Sequence, residues 1–480
     1  MSVRHFKIEL KAEGPIHIGN GREYGKKDYF SNGSSISVLD VPKFVDQLSA
    51  EQLASYCELL ETDSRKGLQD FFGDYPELRS MARECVAYSV GNSFAKTRGG
   101  TYQFLPVAEF VKDAYGCPYV PGSSVKGMLR TAVLANIVQD DACGYEKLYD
   151  GGLARGRERK SADRKIVKRA LWKERPDRND NAVMNDIMRY VSVSDSDPLS
   201  TEDLVFVKKY DKFSKADDGT HKKSLGRVSD AQYYEGNELT IYRECLKPGT
   251  HILLTLDVDS RIDDYLSGWK MDGEGICSVL DRFRSLYERC FLRHFDLGSG
   301  GNGEASEASG DGICQYVAQS GPFAGKRCRN RAVGGTGYCN THKDKANASG
   351  VQGGGLVSGQ ECSCFIGGGV DFDSKTIVNA LFSDDLVRLN EVSHILYNQF
   401  PTKIDKSRHG RLWDEVREAG FEPKPMSARF KRDGRLLKAK DDRRHWRDAE
   451  FGVSPHTVKL GILNGKKYSM GKCAFNIQEI

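Results

Sequence analysis

The sequence predicts an α+β fold. Short alternating segments read as strands, longer segments with apolar residues three and four apart read as helices, and the two kinds are mixed without a regular βα alternation. No repeat of about 20 to 50 residues is visible, which disfavours a solenoid or propeller.

The first strand is VRHFKIELKA, where Val3, Phe6, Ile8 and Leu10 alternate with charged neighbours, and PIHIGNG closes it in a glycine turn. A polar hairpin or loop follows. From Pro42 to Tyr88 the spacing of Phe44, Val45, Leu48, Leu53, Tyr56, Leu59 and Leu60 predicts helix. GCPYVPGSSVKGMLRTAVLANIVQ starts as a short strand, turns at Pro121 and Gly122, and becomes a helix with Val125, Leu129, Ala132, Val133 and Ile137 on one stripe. Ser123 or Ser124 is its expected N-cap.

MRYVSVSDSD, EDLVFVKKY, NELTIYREC and GTHILLTLDVDS are strand candidates, and GICSVLDRFRSLYERCFLRHF is helical in period. In the C-terminal part, FIGGGVDFDSKTIVNALF is a glycine turn into a helix, DLVRLNEVSHILYNQF is another helix, and KCAFNIQEI is a final strand. A strand at each end implies that the chain ends share a sheet or close neighbouring ones. We place a lobe boundary near residue 260, giving lobes 1–260 and 261–480, with an insert at 297–360.

At 480 residues and 39% hydrophobic content the chain is large enough for packed cores, which excludes wholesale disorder. The longest apolar stretches, such as HILLTLDV, fall far short of the roughly 20 residues that span a bilayer, so no membrane association is expected. MSVRHFKIELKAEG lacks the apolar core of a signal peptide. With 13 cysteines, this points to a reducing, cytoplasmic setting. The formal charge of +4 says little about partners, whereas residues 155–175 hold ten Lys or Arg against three Asp or Glu.

The insert is flanked by LGSGGNGEASEASGDG and ANASGVQGGGLVSGQ, which read as flexible linkers. Between them Cys314, Cys328, Cys339 and His342 form a donor set suited to tetrahedral zinc, with four protein ligands and hence a structural role. The surroundings are too polar for a core, so the metal would supply the folding energy. Gly325, Cys328, Tyr338, Cys339 and His342 resemble a small zinc module of bacterial and phage proteins, and Lys326, Arg327, Arg329 and Arg331 are candidate nucleic-acid contacts. Cys362 and Cys364 are assigned to the following glycine turn.

PGSSVKGMLRT has P-loop glycine spacing at Gly122 and Gly127, but Met128 and Leu129 stand where Lys and Ser or Thr are required. Nucleotide hydrolysis is therefore not supported. A helix start with Lys126 and Arg130 remains, which suits an RNA backbone or a solvated cap.

PYVPGSSVKGMLRTAVL resembles the diagnostic helix motif of the RAMP superfamily of CRISPR-Cas proteins, and GPIHIGNGREYGKKDYF resembles its first strand and loop. VSVSDSD, LKPGTHILLTL and FIGGGVDFDSKT resemble later landmarks, in the order of the fifth Csm subunit of type III-A effector complexes. The resemblance implies a ferredoxin-like, RRM-related core carrying helical insertions. It further implies a noncatalytic subunit that binds CRISPR guide RNA toward its 3′ end and contacts target RNA and a Cas7-type backbone subunit. The zinc insert departs from that pattern. The RNA contacts expected are His17, Gly19, Gly21, Ser123, Ser124, Lys126, Arg130 and Lys375, and the 155–175 segment could track an RNA backbone.

Two other readings compete. Asp28 could hold a divalent ion for RNA cleavage, although capping a turn or pairing with Lys26 or Lys27 is its simpler role, and His17 could be proposed as a general base, although packing or RNA contact suits it better. Alternatively the insert could make the chain a protein-protein adaptor. Asp371 and Asp373 are expected to shape the turn that precedes Ser374, Lys375 and Thr376.

Overall fold

Phe6, Ile8 and Leu10 of the first strand are fully buried, and that strand lies at the centre of a sheet closed by the chain's last strand. The computed structural model describes residues 2–61, 66–94, 105–149, 156–172, 185–216, 236–266, 268–297, 359–382, 384–404, 406–407, 409–425 and 445–480. Two compact units divide the chain, 1–296 with 359–480, and 297–358; the elements that follow belong to the first. Cys314, Cys328, Cys339 and His342, with the basic residues among them, lie outside the described residues.

The strands in chain order are β1 Val3–Ala12, β2 Gly19–Tyr24, β3 Tyr29–Ser31, β4 Ser35–Leu39, β5 Val86–Gly91, β6 Val107–Phe110, β7 Val191–Val193 and β8 Leu204–Phe213. They continue with β9 Gly236–Leu246, β10 His251–Asp259, β11 Gln360–Phe365, β12 Lys403–Ile404, β13 Lys424–Pro425, β14 Thr457–Leu463, β15 Lys466–Ser469 and β16 Lys472–Glu479. A five-stranded antiparallel sheet has the order β11-β16-β1-β10-β7, with Ile8 opposite both Leu254 and Ile477. The expectation that the two chain ends share a sheet holds, and strands from both sides of residue 260 build it.

A six-stranded sheet has the order β15-β14-β8-β9-β6-β2 and is antiparallel except where β6 meets β9. The helix Gly122–Asp140 buries Val125, Leu129, Ala132 and Val133, and the helix Gly273–Cys290 buries Ile276, Val279 and Leu280 in the same core as β1 and β10. Ile137 sits at the margin of that core, partly buried. This mixture of helices and sheets is α+β, as the sequence predicts.

Four expectations need correction. The helical reading of Pro42 to Tyr88 becomes four short helices, Val41–Val45, Ala50–Glu61, Leu68–Asp74 and Pro76–Glu84, followed by β5. Pro42 and Pro76 each sit in the first turn of a helix, where a missing N–H is tolerated, and so mark starts rather than interiors. Val86, Tyr88 and Val90 follow a period of two and pair with β4. Phe30, Phe44, Tyr56, Phe71 and Phe72 make this region a second aromatic core. The strand expected at GCPYV reduces to a single bridge between Lys112 and Pro118.

The third correction is at the Gly122 helix, whose N-cap position is Pro121 and carries no side-chain cap. The Gly122 N–H instead donates to Asp195 Oδ1 at 2.8 Å. Residues 156–171 of the basic segment form a helix in which Ile166, Ala170 and Leu171 are buried, while Arg169 pairs with Asp141 at 2.5 Å and Lys168 lies over the Trp172 ring. Cys362 and Cys364 point inward from β11, with Cys364 directly opposite Cys473 of β16. They therefore belong to a strand that precedes the glycine turn.

A buried ion pair holds the elements around the first loop. Glu244 of β9 is fully buried, its Oε2 accepts from Lys112 Nζ at 2.5 Å and from the Phe110 N–H at 2.9 Å, and its Oε1 accepts from Tyr88 Oη. Tyr24 joins by accepting from Lys112 and donating to Glu109 at 2.8 Å, with the Tyr88 hydroxyl, whose one proton goes to Glu244, 3.1 Å away. Breaking one partner of a buried pair typically costs about 3–5 kcal/mol because the other charge is stranded. Glu244→Gln is expected to lower unfolding stability by that amount, and Glu244→Gln with Lys112→Met to recover most of it. Denaturant titration of the two variants checks this.

Candidate nucleic-acid interface

The chain leaves β1 at Ala12 and passes through Pro15 and Ile16, where Ile16 bridges to Leu246. The next residue, His17, is only 5% exposed. Its Nδ1 lies 2.7 Å from the Glu244 carbonyl oxygen, which can only accept, so the proton sits on Nδ1. Its own carbonyl accepts from the Gly368 N–H at 2.5 Å. One buried histidine therefore fastens the first loop to β9 and to the glycine loop that follows β11.

The glycines around it are explained by crowding. A Cβ on Gly19 would lie 3.0 Å from His17 Nε2, one on Gly368 would lie 3.0 Å from His17 Cδ2, and one on Gly367 only 2.3 Å from the His17 carbonyl. Gly367 also has φ +86°, a region that disfavours side chains. Gly21, at the same φ, is exposed and faces open space. Burial lowers the His17 pKa from its ordinary value, as do the positive charges of Arg243 and Lys375, against the raising effect of its bond to Glu244.

Those two cations belong to a basic strip. Arg243 of β9 is half-buried, close enough to the glycine loop that a Cβ on Gly369 would lie 3.5 Å from its Nε. Among the described residues it has no ion pair. Lys375, at the end of the glycine loop, is exposed and likewise unpaired among the described residues. Lys209 and Lys459 lie on the strands beneath, where Lys209 is paired with Asp211 at 3.2 Å. Sequence reasoning missed Arg243, since NELTIYREC presents it as one more charged strand residue. The one available signal was that it adjoins Glu244 in a strand, where consecutive side chains face opposite ways.

The glycine loop is anchored from below by two buried carboxylates. Asp371 Oδ2 accepts from Tyr287 Oη at 2.9 Å and Oδ1 from the Lys459 N–H at 2.8 Å, while Asp373 Oδ1 accepts from Asn379 Nδ2 at 3.0 Å. The Asp373 bond is local, as the expected turn-shaping role requires, whereas Asp371 ties the loop to a distant helix and to β14. Burial pushes Asp371 up to about 6 and Asp373 up to about 7.

The helix start forms a second group. Gly122 packs so closely on β7 that a Cβ would lie 2.3 Å from the carbonyls of Val193 and Ser194. Ser196 and Val120 are paired in both directions at 2.9 Å, so VSVSDSD and PGSSVKG are one structural unit. Ser123 is exposed and Ser124 partly so. Arg130 is committed to Asp186 at 2.6 Å. Lys126 is half-buried, its pKa lowered by burial, and has no ion pair among the described residues. With the Asp195 carboxylate already on the first helical N–H, Lys126 is the stronger phosphate donor of the pair.

Asp28 stands apart from both groups. Its Oδ2 accepts from the Gly25 N–H at 2.6 Å and its N–H donates back to the Gly25 carbonyl, closing the turn between β2 and β3. Burial, with a smaller push from Glu109, raises its pKa. Among the described residues it belongs to no cluster of three metal-ligating side chains.

A model of the RAMP superfamily matches residues 9–267, more than half of the chain. The chain belongs to the RAMP superfamily. Among superfamily relatives it is similar to the CRISPR system Cms protein Csm5 of Mycobacterium tuberculosis (strain CDC 1551 / Oshkosh), 26% identical over 294 residues, covering 58% of this chain and 72% of that protein. It is also similar to Csm5 of Streptococcus thermophilus, 25% identical over 265 residues and covering 52% and 62% respectively. Two solved structures resemble it. A chain of a Csm-crRNA-target RNA ternary complex of a type III-A system has TM-score 0.49, 16% identity and coverage of 98% of this chain and 100% of that one. The crystal structure of T.onnurineus Csm5 has TM-score 0.42, 21% identity and coverage of 58% and 80%.

Burial holds the His17 pKa below the ordinary imidazole value, so its ring is expected to titrate at a lower pH than an exposed histidine, which nitrogen-15 NMR of the imidazole measures. For Asp373 the sign is opposite in effect. A carboxyl whose folded pKa is raised binds more protons folded than unfolded, so its contribution falls as pH rises from about 4 to about 7. Asp373→Asn is expected to flatten that slope and to raise stability at pH 8 relative to wild type, read from denaturation midpoints across the range.

Proposed function

We propose that this RAMP protein is a noncatalytic guide-RNA-binding subunit of a type III-A CRISPR surveillance complex. In this reading it sits toward the guide's 3′ end, against a Cas7-type backbone subunit, with target RNA nearby. The observation that carries the reading is the joint at His17, which gathers the first loop, the glycine loop and the cations Arg243 and Lys375 at one place. The similarity to proteins named Csm5 supports the choice of complex.

The chemistry suits holding RNA without processing it. Exposed loop backbone at Gly19 and Gly21, and cations at Lys126, Arg243 and Lys375 that have no ion pair among the described residues, offer contacts to phosphates and 2′-hydroxyls, which do not depend on base identity. His17, in this account, is a positioning residue that fixes the loops presenting those groups. Asp28 closes a turn, so Asp28→Ala leaves guide binding in place and creates no loss of cleavage.

Cytoplasmic action is part of the same reading, supported by ten free thiols among the described residues and by the absence there of any helix long and apolar enough to cross a membrane. For the insert, the donor chemistry of Cys314, Cys328, Cys339 and His342 supports a structural zinc ion.

Charge reversal tests the surface. Lys126→Glu with Lys375→Glu is expected to weaken guide RNA binding and to reduce the slope of log K against log salt by about 0.7 for each phosphate no longer neutralised. Filter binding across a salt series measures both. Unchanged affinity and slope in a folded double variant would sink the assignment of these cations.

A further inference from the structure

Far from the glycine loops in sequence, three buried side chains of different elements converge. His445 opens the short turn His445–Arg447, Asp448 opens the helix Asp448–Phe451, and His456 immediately precedes β14. Asp448 is fully buried, with His445 and His456 at 5% and 4% exposure. His445 Nδ1 lies 3.0 Å from Asp448 Oδ2 and His456 Nδ1 lies 2.5 Å from Asp448 Oδ1.

The local fold explains the convergence. His445 and Asp448 are three residues apart on one turn and so share a side. The helix ends at Gly452, in the left-handed conformation at φ +67°, which turns the chain back. The Ser214 N–H then donates to the His456 carbonyl at 2.9 Å and pins that residue beside the end of β8. Phe451 packs on the His456 ring with centroids 5.2 Å apart, and Phe400 lies 6.3 Å from the His445 ring.

Among the described residues Asp448 has no Lys or Arg ion pair; the imidazoles and the Ser454 hydroxyl are its side-chain partners. A buried carboxylate is stable only when paired, hydrogen-bonded or bound to a metal. Two imidazole nitrogens and one carboxylate oxygen, all within 4.8 Å of one another, are the donors of a three-ligand site that keeps an open position. We propose that His445, Asp448 and His456 bind one divalent transition-metal ion of the zinc class.

Nitrogen supplies two of the three donors, which selects against magnesium and calcium. Bonds of about 2.0–2.1 Å to a tetrahedral ion place neighbouring ligand atoms about 3.3 Å apart. The imidazoles now address different oxygens of Asp448, His445 on Oδ2 at 3.0 Å and His456 on Oδ1 at 2.5 Å, so entry of the ion opens these contacts and turns one carboxylate oxygen to it. Each Nδ1 proton leaves for solvent or is replaced by one on Nε2. Ser454 Oγ, which donates to Asp448 Oδ2, supplies the outer hydrogen bond that orients a ligating carboxylate. The ion would tie the helix Asp448–Phe451 to the start of β14.

The test uses the full chain with Cys314→Ser, Cys328→Ser, Cys339→Ser and His342→Gln, which removes the thiolate-rich donor set of the insert. Cobalt(II) titration is expected to show one equivalent bound, with ligand-field bands, no thiolate charge-transfer band, and displacement by zinc. Adding His456→Gln is expected to abolish that equivalent while circular dichroism stays unchanged. Should that variant fail to fold, X-ray absorption of the zinc-loaded four-residue variant decides, with imidazole nitrogen and oxygen but no sulfur expected around the ion. The proposal is overturned by a folded four-residue variant that binds no cobalt, by a full equivalent retained in folded His456→Gln, or by a coordination sphere lacking imidazole.

Discussion

The site depends first on how Glu244 is satisfied. A fully buried carboxylate is costly unless its lone pairs are used, and here Lys112, Tyr88 and the Phe110 N–H use them. Those partners come from after β6, from β5 and from β6 itself, so one side chain draws the three-stranded sheet of order β3-β4-β5 and the six-stranded sheet to the same point. The main-chain oxygen of the same residue accepts from His17. The position of the first loop is thereby inherited from an ion pair shielded from solvent. Arg243, one residue earlier on β9, belongs to the opposite face and lies beside the glycine loop. Consecutive residues of one strand thus divide the work between holding the fold and presenting charge.

The glycine-rich motifs acquire a different meaning in this setting. A glycine-rich loop invites a phosphate-cradling interpretation, yet Gly19, Gly367 and Gly368 are glycine because two backbones and an imidazole leave no room for a Cβ. Gly122 is glycine for the same kind of reason, against β7. Their immediate task is close approach between segments that are distant in the chain. Gly21, with open space around it, is left free for a ligand to approach.

The strands at the two ends were readable because alternation of Phe6, Ile8 and Leu10, and the apolar content of KCAFNIQEI, reflect burial within a sheet. The helix at Gly122 was readable because Val125, Leu129, Ala132 and Val133 share a stripe. Its cap was not, since the acceptor Asp195 lies 73 residues away and only tertiary structure brings it there. The break-up of the Pro42 to Tyr88 segment was partly legible in Pro76, whose preferred place is the first turn of a new helix. His17 was singled out for packing or RNA contact, but a lone histidine between isoleucines carries no mark of whether it is buried or exposed. Arg243 was invisible for the converse reason: what distinguishes it is the lack of an ion-pair partner among the described residues, and that is a property of three dimensions.

The same distinction governs the basic segment. Counting charges makes residues 155–175 the most positive part of the chain, and a diffuse field does attract a polyanion from a distance. Close contact requires donors that are not already engaged. Arg169 is held by Asp141 and stacked on Tyr145, and Lys168 lies over Trp172. Releasing such groups to bind a phosphate offsets part of what the new interaction contributes. Lys126, Arg243 and Lys375 carry no comparable penalty, although burial at Lys126 already disfavours its charge and an approaching phosphate would relieve that. A cation held partly dehydrated beside a helix start gains more from an anion than one fully solvated on a helix surface. Density of charge along the sequence is therefore a poor guide to the interface, and the state of each charge in the fold is the better one.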